Sequence, residues 1–214
     1  MYIIINATTG QLVDEKSENP SQITSLSLKI DYDYQQLKKH LLSSSFKKEP
    51  LSAAKYKRLY PLVENDQLVT LQEGGTPLYK SEKISKKMGI NHLYFKYEGL
   101  NPTGAFKDRG SLVEITKAKQ YQAKAVVVAS TGNMAASVSA YCAKADIPCY
   151  VFIPHDTPET KIAQILFYGP KIIKIKGAIN DIPFSNRFKG PGLALKYLAI
   201  PQKNMHLTVF SLLI

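Results

Sequence analysis

The chain has 214 residues, of which 44% are hydrophobic, and its formal net charge is +11 at pH 7. This length allows one or two domains with a substantial core. The basic excess forms no dense basic face with interleaved aromatic residues, so we expect no nucleic-acid partner. No long apolar stretch with basic flanks occurs, so we expect neither a signal peptide nor a membrane span.

The cysteines and histidines give no sign of a disulfide framework or a metal site. Cys142 and Cys149 have neither paired nor metal-type spacing, which favours a reducing compartment such as the cytoplasm. The four histidines form no ligand pair at helical spacing, so no metal is expected. Nothing in the composition indicates an oligomeric state.

Three segments of the chain differ in pattern. Residues 1–50 lack a recognisable motif and are interpreted as an N-terminal extension. In residues 51–181 predicted strands alternate with predicted helices, whereas residues 182–214 contain no acidic residue. We predict strands at 92–97, 125–129, 148–153 and 171–176, and helices near 81–88, 108–122, 132–144 and 158–168. This alternation predicts an α/β fold with a parallel sheet, in which ligands bind at the carboxyl ends of the strands.

The most informative segment is a loop that contains one lysine and leads into a helix. Pro102 and Gly104 indicate the loop, and Lys107 then stands near the helix start. The positive end of the helix dipole favours the neutral amine over the ammonium ion, and the neutral amine is the form that attacks an aldehyde. The alternative is an ordinary solvated lysine in a turn, and the loop taken alone favours this alternative.

A second informative segment joins the apolar strand at 125–129 to an alanine-rich helix. Ser130, Thr131, Gly132 and Asn133 stand between the two. Hydroxyl and N–H groups at a helix start form a binding site for a carboxylate or a phosphate. An ordinary N-cap requires only one such residue, and three within four positions favour an additional binding role.

Together with other motifs, these two segments resemble the threonine synthases. The matching segments, in order, are 56–62, 73–78, 96–110, 130–137 and 167–175. Threonine synthases are lyases that depend on pyridoxal 5'-phosphate (PLP) and have the tryptophan-synthase β-like fold. The resemblance runs from about residue 56 to residue 181 and implies the N-terminal half of a three-layer parallel sheet, with PLP as the cofactor.

The resemblance assigns a role to each candidate residue. Lys107 would carry PLP covalently and, once substrate displaces it, act as general base at the substrate α-carbon. Asn133 would bind the phenolic oxygen of PLP. Phe106 would pack near the cofactor ring, with an ordinary core position as an equal alternative. The substrate carboxylate would bind the hydroxyl and N–H groups of Ser130, Thr131 and Gly132.

Neighbouring residues of the motifs are expected to support the site. Asp108 and Arg109 would brace the lysine loop, and the turn at 73–76 would shape the floor of the site. Many members of the family have serine where Ala105 stands, so a hydroxyl contact at that position is lost here.

The implied reaction converts O-phosphohomoserine and water to threonine and phosphate, a step of amino-acid biosynthesis. The alternatives are another PLP-dependent amino-acid lyase or dehydratase of the same fold, and an inactive fragment or pseudoenzyme. Because the family pattern stops near residue 181, 182–214 are interpreted as a divergent tail of a truncated or frameshifted chain. We therefore expect impaired activity of the 214 residues alone, and whether a separate chain completes the site stays open.

Overall fold

The structure, a computed structural model, describes residues 2–13, 28–62 and 67–176. The expected divergent tail at 182–214 lies outside these residues. The strands are β1 (Tyr2–Asn6), β2 (Leu28–Tyr32), β3 (Leu78–Lys80), β4 (Tyr94–Lys96), β5 (Val126–Ala129), β6 (Cys149–Pro154) and β7 (Lys171–Ile175). The α-helices are α1 (Tyr34–Leu42), α2 (Ser44–Lys48), α3 (Glu82–Met88), α4 (Lys107–Gln120), α5 (Asn133–Ala145) and α6 (Glu159–Phe167). Short 3-10 helices lie at Ala53–Leu59 and Glu98–Leu100.

The centre of the fold is a parallel sheet of three strands in the order β5-β6-β7. β5 is a continuous apolar run, and its first three residues are buried, as is typical of strands in parallel sheets. Val128 pairs with Val151, which in turn pairs with Ile172. The prediction of an α/β fold with a parallel sheet is confirmed.

Helices α5 and α6 form the two crossovers of this sheet and pack against each other. Both connections step across the sheet in the same direction, so right-handed crossovers place both helices on one face. Along β6, Cys149, Val151 and Ile153 are buried, whereas the alternate residues are half-buried. Helix α4 packs against α5 and adds a further layer.

The hydrophobic core joins α4, α5 and the sheet. Leu112 and Ile115 of α4, Val138 and Tyr141 of α5, and Val151 of β6 are all fully buried. Burial of one Val, Leu or Ile side chain stabilises a fold by about 1.5–3 kcal/mol. This packing fixes α4 and α5 relative to each other, and with them the residues at which the two helices begin.

One predicted strand has a different partner from the one expected. The strand predicted at 92–97 should belong to the parallel series, but β4 instead pairs antiparallel with β3 in a separate sheet, where Tyr79 lies opposite Phe95. The prediction that the lysine loop follows a strand of the parallel sheet is therefore wrong. A helix between two strands, here α3, is compatible with either strand direction, and hydrophobic periodicity does not report the direction.

The N-terminal residues form an antiparallel pair, β1 and β2, followed by α1 and α2. The side chain of Asp33 caps α1 by accepting hydrogen bonds from the N–H groups of Gln35 and Gln36. The hydroxyl of Tyr32 donates to the carbonyl oxygen of Leu59 at 2.6 Å. This region therefore rests against the first part of segment 51–181.

The described ranges contain neither a helix that could span a membrane nor a cluster of metal-ligating side chains. None of the helices in 2–13, 28–62 and 67–176 combines the length and the apolar character that crossing a bilayer requires. Within the same ranges, no three His, Cys, Asp or Glu side chains are grouped so that they could share a metal ion.

Candidate functional site

Lys107 is the first residue of α4, one position before the predicted helix start. Its side chain is half-buried, and its Nζ lies 4.4 Å from the centroid of the Phe106 ring. Burial lowers the pKa of Lys107, and the negative charge of Glu114 acts in the opposite direction. The positive end of the α4 dipole also disfavours the ammonium form. The amine therefore loses its proton more readily than that of a solvated lysine.

Asp108 joins the lysine loop to α5. Its fully buried carboxylate accepts hydrogen bonds from the N–H and the hydroxyl of Thr103, at 2.8 and 2.5 Å, and from the hydroxyl of Ser137 at 2.6 Å. The oxygen of Ser137 also lies 2.7 Å from that of Ser111. Because Ser137 lies one turn after Asn133, these bonds hold the first turns of α4 and α5 side by side.

Helix α5 begins at Asn133, directly after β5 and the three residues that follow it. Gly132 occupies the N-cap, and in the described part of the chain no side chain caps this helix. The N–H of Gly132 donates to the hydroxyl of Ser130 at 3.3 Å. Ser130 and Thr131 are half-buried, and Gly132 and Asn133 are exposed. The N–H groups of the first turn are therefore open to an anion.

Arg109 braces the lysine loop through a bidentate ion pair with Glu98. Nε of Arg109 lies 2.6 Å and Nη2 lies 2.8 Å from the two carboxylate oxygens. The hydroxyl of Thr76 and the side-chain amide of Asn101 donate to the same carboxylate, at 2.6 and 3.0 Å. These donors, with Arg109 the strongest, lower the pKa of Glu98 to about 2. The prediction that Asp108 and Arg109 brace the loop is confirmed.

The turn at 73–76 is hydrogen-bonded to the lysine loop and to α5. The N–H of Gly74 donates to the side-chain oxygen of Asn101 at 2.9 Å. Glu73 is fully buried and accepts a hydrogen bond from the hydroxyl of Tyr141, a residue of α5. Gly75 has a φ of 60°, and a side chain there would meet a backbone carbonyl of the facing segment. The turn is thus tied to both the loop and α5.

Two further residues near the loop were not identified from the sequence. From α6, the side-chain amide of Gln164 donates to the carbonyl oxygen of Thr103 at 2.8 Å, and no sequence signal points to this contact. Glu114 is only 3% exposed, and its Oε2 has no hydrogen-bond partner in the described structure. Burial raises the pKa of Glu114 well above its usual value, with Lys107 opposing. The sequence does carry a signal for Glu114, because this acidic residue stands among apolar residues of the helix, seven positions after Lys107.

The arrangement offers two chemical functions at neighbouring helix starts. Lys107 supplies an amine with a lowered pKa, and the first turn of α5 supplies hydrogen-bond donors for an anion. The exposed ring of Phe106, 53% accessible, lies beside the amine and offers an apolar face to a planar group. This donor set fits the aldehyde end of PLP together with the carboxylate of an amino acid.

Comparison with known proteins agrees with this chemistry. The chain is 41% identical over 155 residues to the threonine synthase of Methanocaldococcus jannaschii, which corresponds to 72% of this chain and 38% of that protein. It is 45% identical over 155 residues to the threonine synthase of Methanosarcina acetivorans, or 72% of this chain and 37% of the relative. The chain thus spans well under half the length of these relatives.

The lysine loop, the turn at 73–76 and the start of α5 all lie inside one matching family region. The family model described as pyridoxal-phosphate dependent enzyme matches residues 69–185. This region contains more than half of the chain, and it includes Lys107 and Asn133. The chain therefore belongs to the pyridoxal-phosphate dependent enzymes and is similar to the threonine synthases among them.

Proposed function

We propose that this chain carries the lysine-bearing part of a threonine synthase, which converts O-phosphohomoserine and water to threonine and phosphate. The observation that supports the proposal is the hydrogen bond between Asp108 and Ser137, which holds the helix start that bears Lys107 beside the uncapped first turn of α5. The likeness to threonine synthases supports this reaction over that of another PLP-dependent lyase or dehydratase.

Lys107 is proposed to hold PLP and to move a proton. Its lowered pKa makes the neutral amine more accessible than in a solvated lysine, and the neutral amine is the state needed to bond to an aldehyde. When the amino group of the substrate takes its place, the freed Nζ removes the proton from the substrate α-carbon and returns it later in the reaction. PLP, when bound, supplies the electron sink that stabilises the negative charge left at that carbon.

The start of α5 is proposed to orient the substrate. Ser130, Thr131 and Gly132 would bind its carboxylate through hydroxyl and N–H groups, where the helix carries about half a positive charge. Asn133 would donate to the phenolic oxygen of PLP, and Phe106 would pack against the ring. Holding the α-carbon within reach of Lys107 is the main contribution of these residues, because misplacement by 1 Å costs roughly a hundredfold in rate.

We further propose that the chain consists of a PLP-dependent region, which contains this site, and an N-terminal extension. Residues 51–181 would form the PLP-dependent region, and 1–50 would form an extension that rests on it through contacts such as Tyr32 to Leu59. The protein is proposed to act in the cytoplasm on a small amino-acid substrate.

The attachment of PLP is tested by incubating the purified chain with PLP, fixing the bond with borohydride and mapping the modified peptide by mass spectrometry. We expect modification at Lys107, its loss in Lys107→Ala, and no change in Lys83→Ala, in which an exposed lysine of α3 is replaced. Equal labelling of many surface lysines, or labelling that survives in Lys107→Ala, would contradict the assignment.

The substrate is tested with the same labelled peptide. O-phosphohomoserine added before borohydride should reduce the label on Lys107 more strongly than homoserine at equal concentration. Homoserine is the control because it carries the same amino group and carboxylate but no phosphate. An equal effect of the two compounds would leave PLP attachment intact and would refute the assignment of the phosphorylated substrate.

A further inference from the structure

Two cysteines that are unrelated by spacing in the sequence come together in the fold. Cys142 lies near the end of α5, and Cys149 is the first residue of β6. Asp146 ends the helix in the left-handed conformation, with φ of 57°, and the N–H of Ile147 donates to the carbonyl oxygen of Cys142 at 3.0 Å. The chain therefore reverses within a few residues and brings the start of β6 back against the helix.

Cys149 lies against one face of α5. Ser139 and Cys142 are three residues apart, so they share a helix face, and the hydroxyl oxygen of Ser139 lies 3.8 Å from the sulfur of Cys149. Both cysteines are buried, with 1% of Cys142 and 7% of Cys149 exposed. The thiols of Cys142 and Cys149 are within hydrogen-bonding reach of each other, so the Cys149 sulfur faces both a hydroxyl and a second thiol of α5.

The two thiols have different surroundings. The pKa of Cys149 is lowered, mainly by a hydrogen bond with the thiol of Cys142 and also by one with Ser139. Burial acts in the opposite direction and raises this pKa. Burial raises the pKa of Cys142 well above its usual value. Buried structural cysteines in apolar surroundings are inert, whereas a thiolate stabilised by polar neighbours is a nucleophile. Cys149 has the surroundings of a nucleophile, and Cys142 those of a partner that keeps its proton.

Both cysteines line a surface cavity of about 220 Å³. Its wall also includes Ser139, Asp146, Tyr168 and Pro170, from the end of α5 and the turn before β7. The candidate PLP site lies at the opposite end of α5, where the helix begins, so the cavity is a separate feature. A small molecule that enters the cavity therefore reaches both cysteines.

We propose that Cys142 and Cys149 form a redox-active dithiol that is oxidised by small-molecule disulfides. The thiolate of Cys149 attacks one sulfur of the disulfide, forms a mixed disulfide with it and releases the other sulfur as a thiolate, which takes up a proton. The sulfur of Cys142 then attacks Cys149 in the mixed disulfide, and the proton of Cys142 passes to the second departing thiolate. The protein loses two hydrogen atoms, and the small disulfide becomes two thiols.

The reaction is tested on the full, folded chain with glutathione disulfide as the oxidant. Free thiols are alkylated, and the chain is digested with trypsin, which cleaves after Lys144 between the two cysteines. We expect a pair of peptides linked by a disulfide. Cys142→Ser should instead accumulate glutathione on Cys149, and Cys149→Ser should slow the modification of Cys142 by about tenfold or more.

A pH profile of alkylation on the wild-type chain tests the same proposal without any variant. Cys149 should react at lower pH than Cys142, and Ser139→Ala should shift the profile of Cys149 to higher pH. A folded chain in which neither thiol reacts until urea is added would overturn the proposal and would assign both cysteines to the core. The same conclusion would follow if Cys149→Ser left the rate at Cys142 unchanged.

Discussion

The hydrogen bonds of Asp108 should contribute strongly to stability, which Asp108→Ala would measure. This substitution removes the acceptor of three hydrogen bonds, from the N–H and hydroxyl of Thr103 and the hydroxyl of Ser137. A buried donor left without an acceptor costs about 1–3 kcal/mol. Ser137 can turn to Ser111, whose oxygen is 2.7 Å away, so the N–H of Thr103 carries most of the penalty.

Relief of the buried charge offsets part of this loss, because a carboxylate is costly to remove from water. We expect the free energy of unfolding to fall by roughly 3 kcal/mol in Asp108→Ala, measured by urea denaturation followed by circular dichroism. Asp156→Ala is the control, since Asp156 is exposed and its replacement should change stability by less than about 0.5 kcal/mol.

The same substitution should also change the site. Without Asp108 the first turn of α4 loses its hydrogen bond to Ser137 of α5, so labelling of Lys107 by PLP and borohydride should lose its preference over exposed lysines. If Asp108→Ala does not fold, Ser137→Ala removes one of the three hydrogen bonds to Asp108 together with the contact to Ser111, and should cost about 1–3 kcal/mol. An Asp108→Ala chain as stable as the wild type, with Lys107 still labelled selectively, would refute the bracing role of Asp108.

Three other substitutions test the surroundings of the loop. Gly75→Ala should lower the midpoint of thermal unfolding, because φ is 60° and the new methyl group would meet a backbone carbonyl; an unchanged midpoint would contradict the observed turn. The pKa of Glu98 is lowered from 4.5 to about 2, so its contribution to stability is present above pH 4.5 and is lost as the pH falls towards 2. Glu98→Gln should remove that part of the pH dependence in acid titrations, and an identical acid transition would argue against the pair with Arg109. Tyr141→Phe should lower the free energy of unfolding in urea by about 1–3 kcal/mol by removing a donor to buried Glu73, and a change within error would show that the carboxylate finds another donor.

Local sequence patterns were sufficient to predict most helices and strands of segment 51–181. The helix predicted at 132–144 is observed at Asn133–Ala145, and the strand predicted at 125–129 at Val126–Ala129. These boundaries follow from nearby residues, because an apolar run gives way to hydroxyl residues and glycine. The pairing of β4 depends instead on which distant strand lies beside it, and that information is not contained in its own three residues.

The candidate site shows the same division between local and distant information. The lysine, the hydroxyl residues and the bracing role of Asp108 and Arg109 were predicted, because short motifs carry them. Glu98, the partner of Arg109, stands eleven residues earlier; it lies in the matching segment 96–110, but nothing in the sequence indicates that it pairs with Arg109. The approach of Cys142 to Cys149 was missed, since spacing rules do not register a chain reversal between a helix and a strand.

The hydrogen bonds of the lysine loop also determine when it takes shape during folding. Thr103 is held by Gln164, 61 residues later, and Glu73 is held by Tyr141, 68 residues later. Contacts between such distant positions form slowly, because a long chain segment must close first. On the ribosome, the loop therefore lacks its hydrogen bond from Gln164 until α6 has been synthesised. Amides of the loop should accordingly be among the last to gain protection in a refolding experiment, well after those of α4 itself.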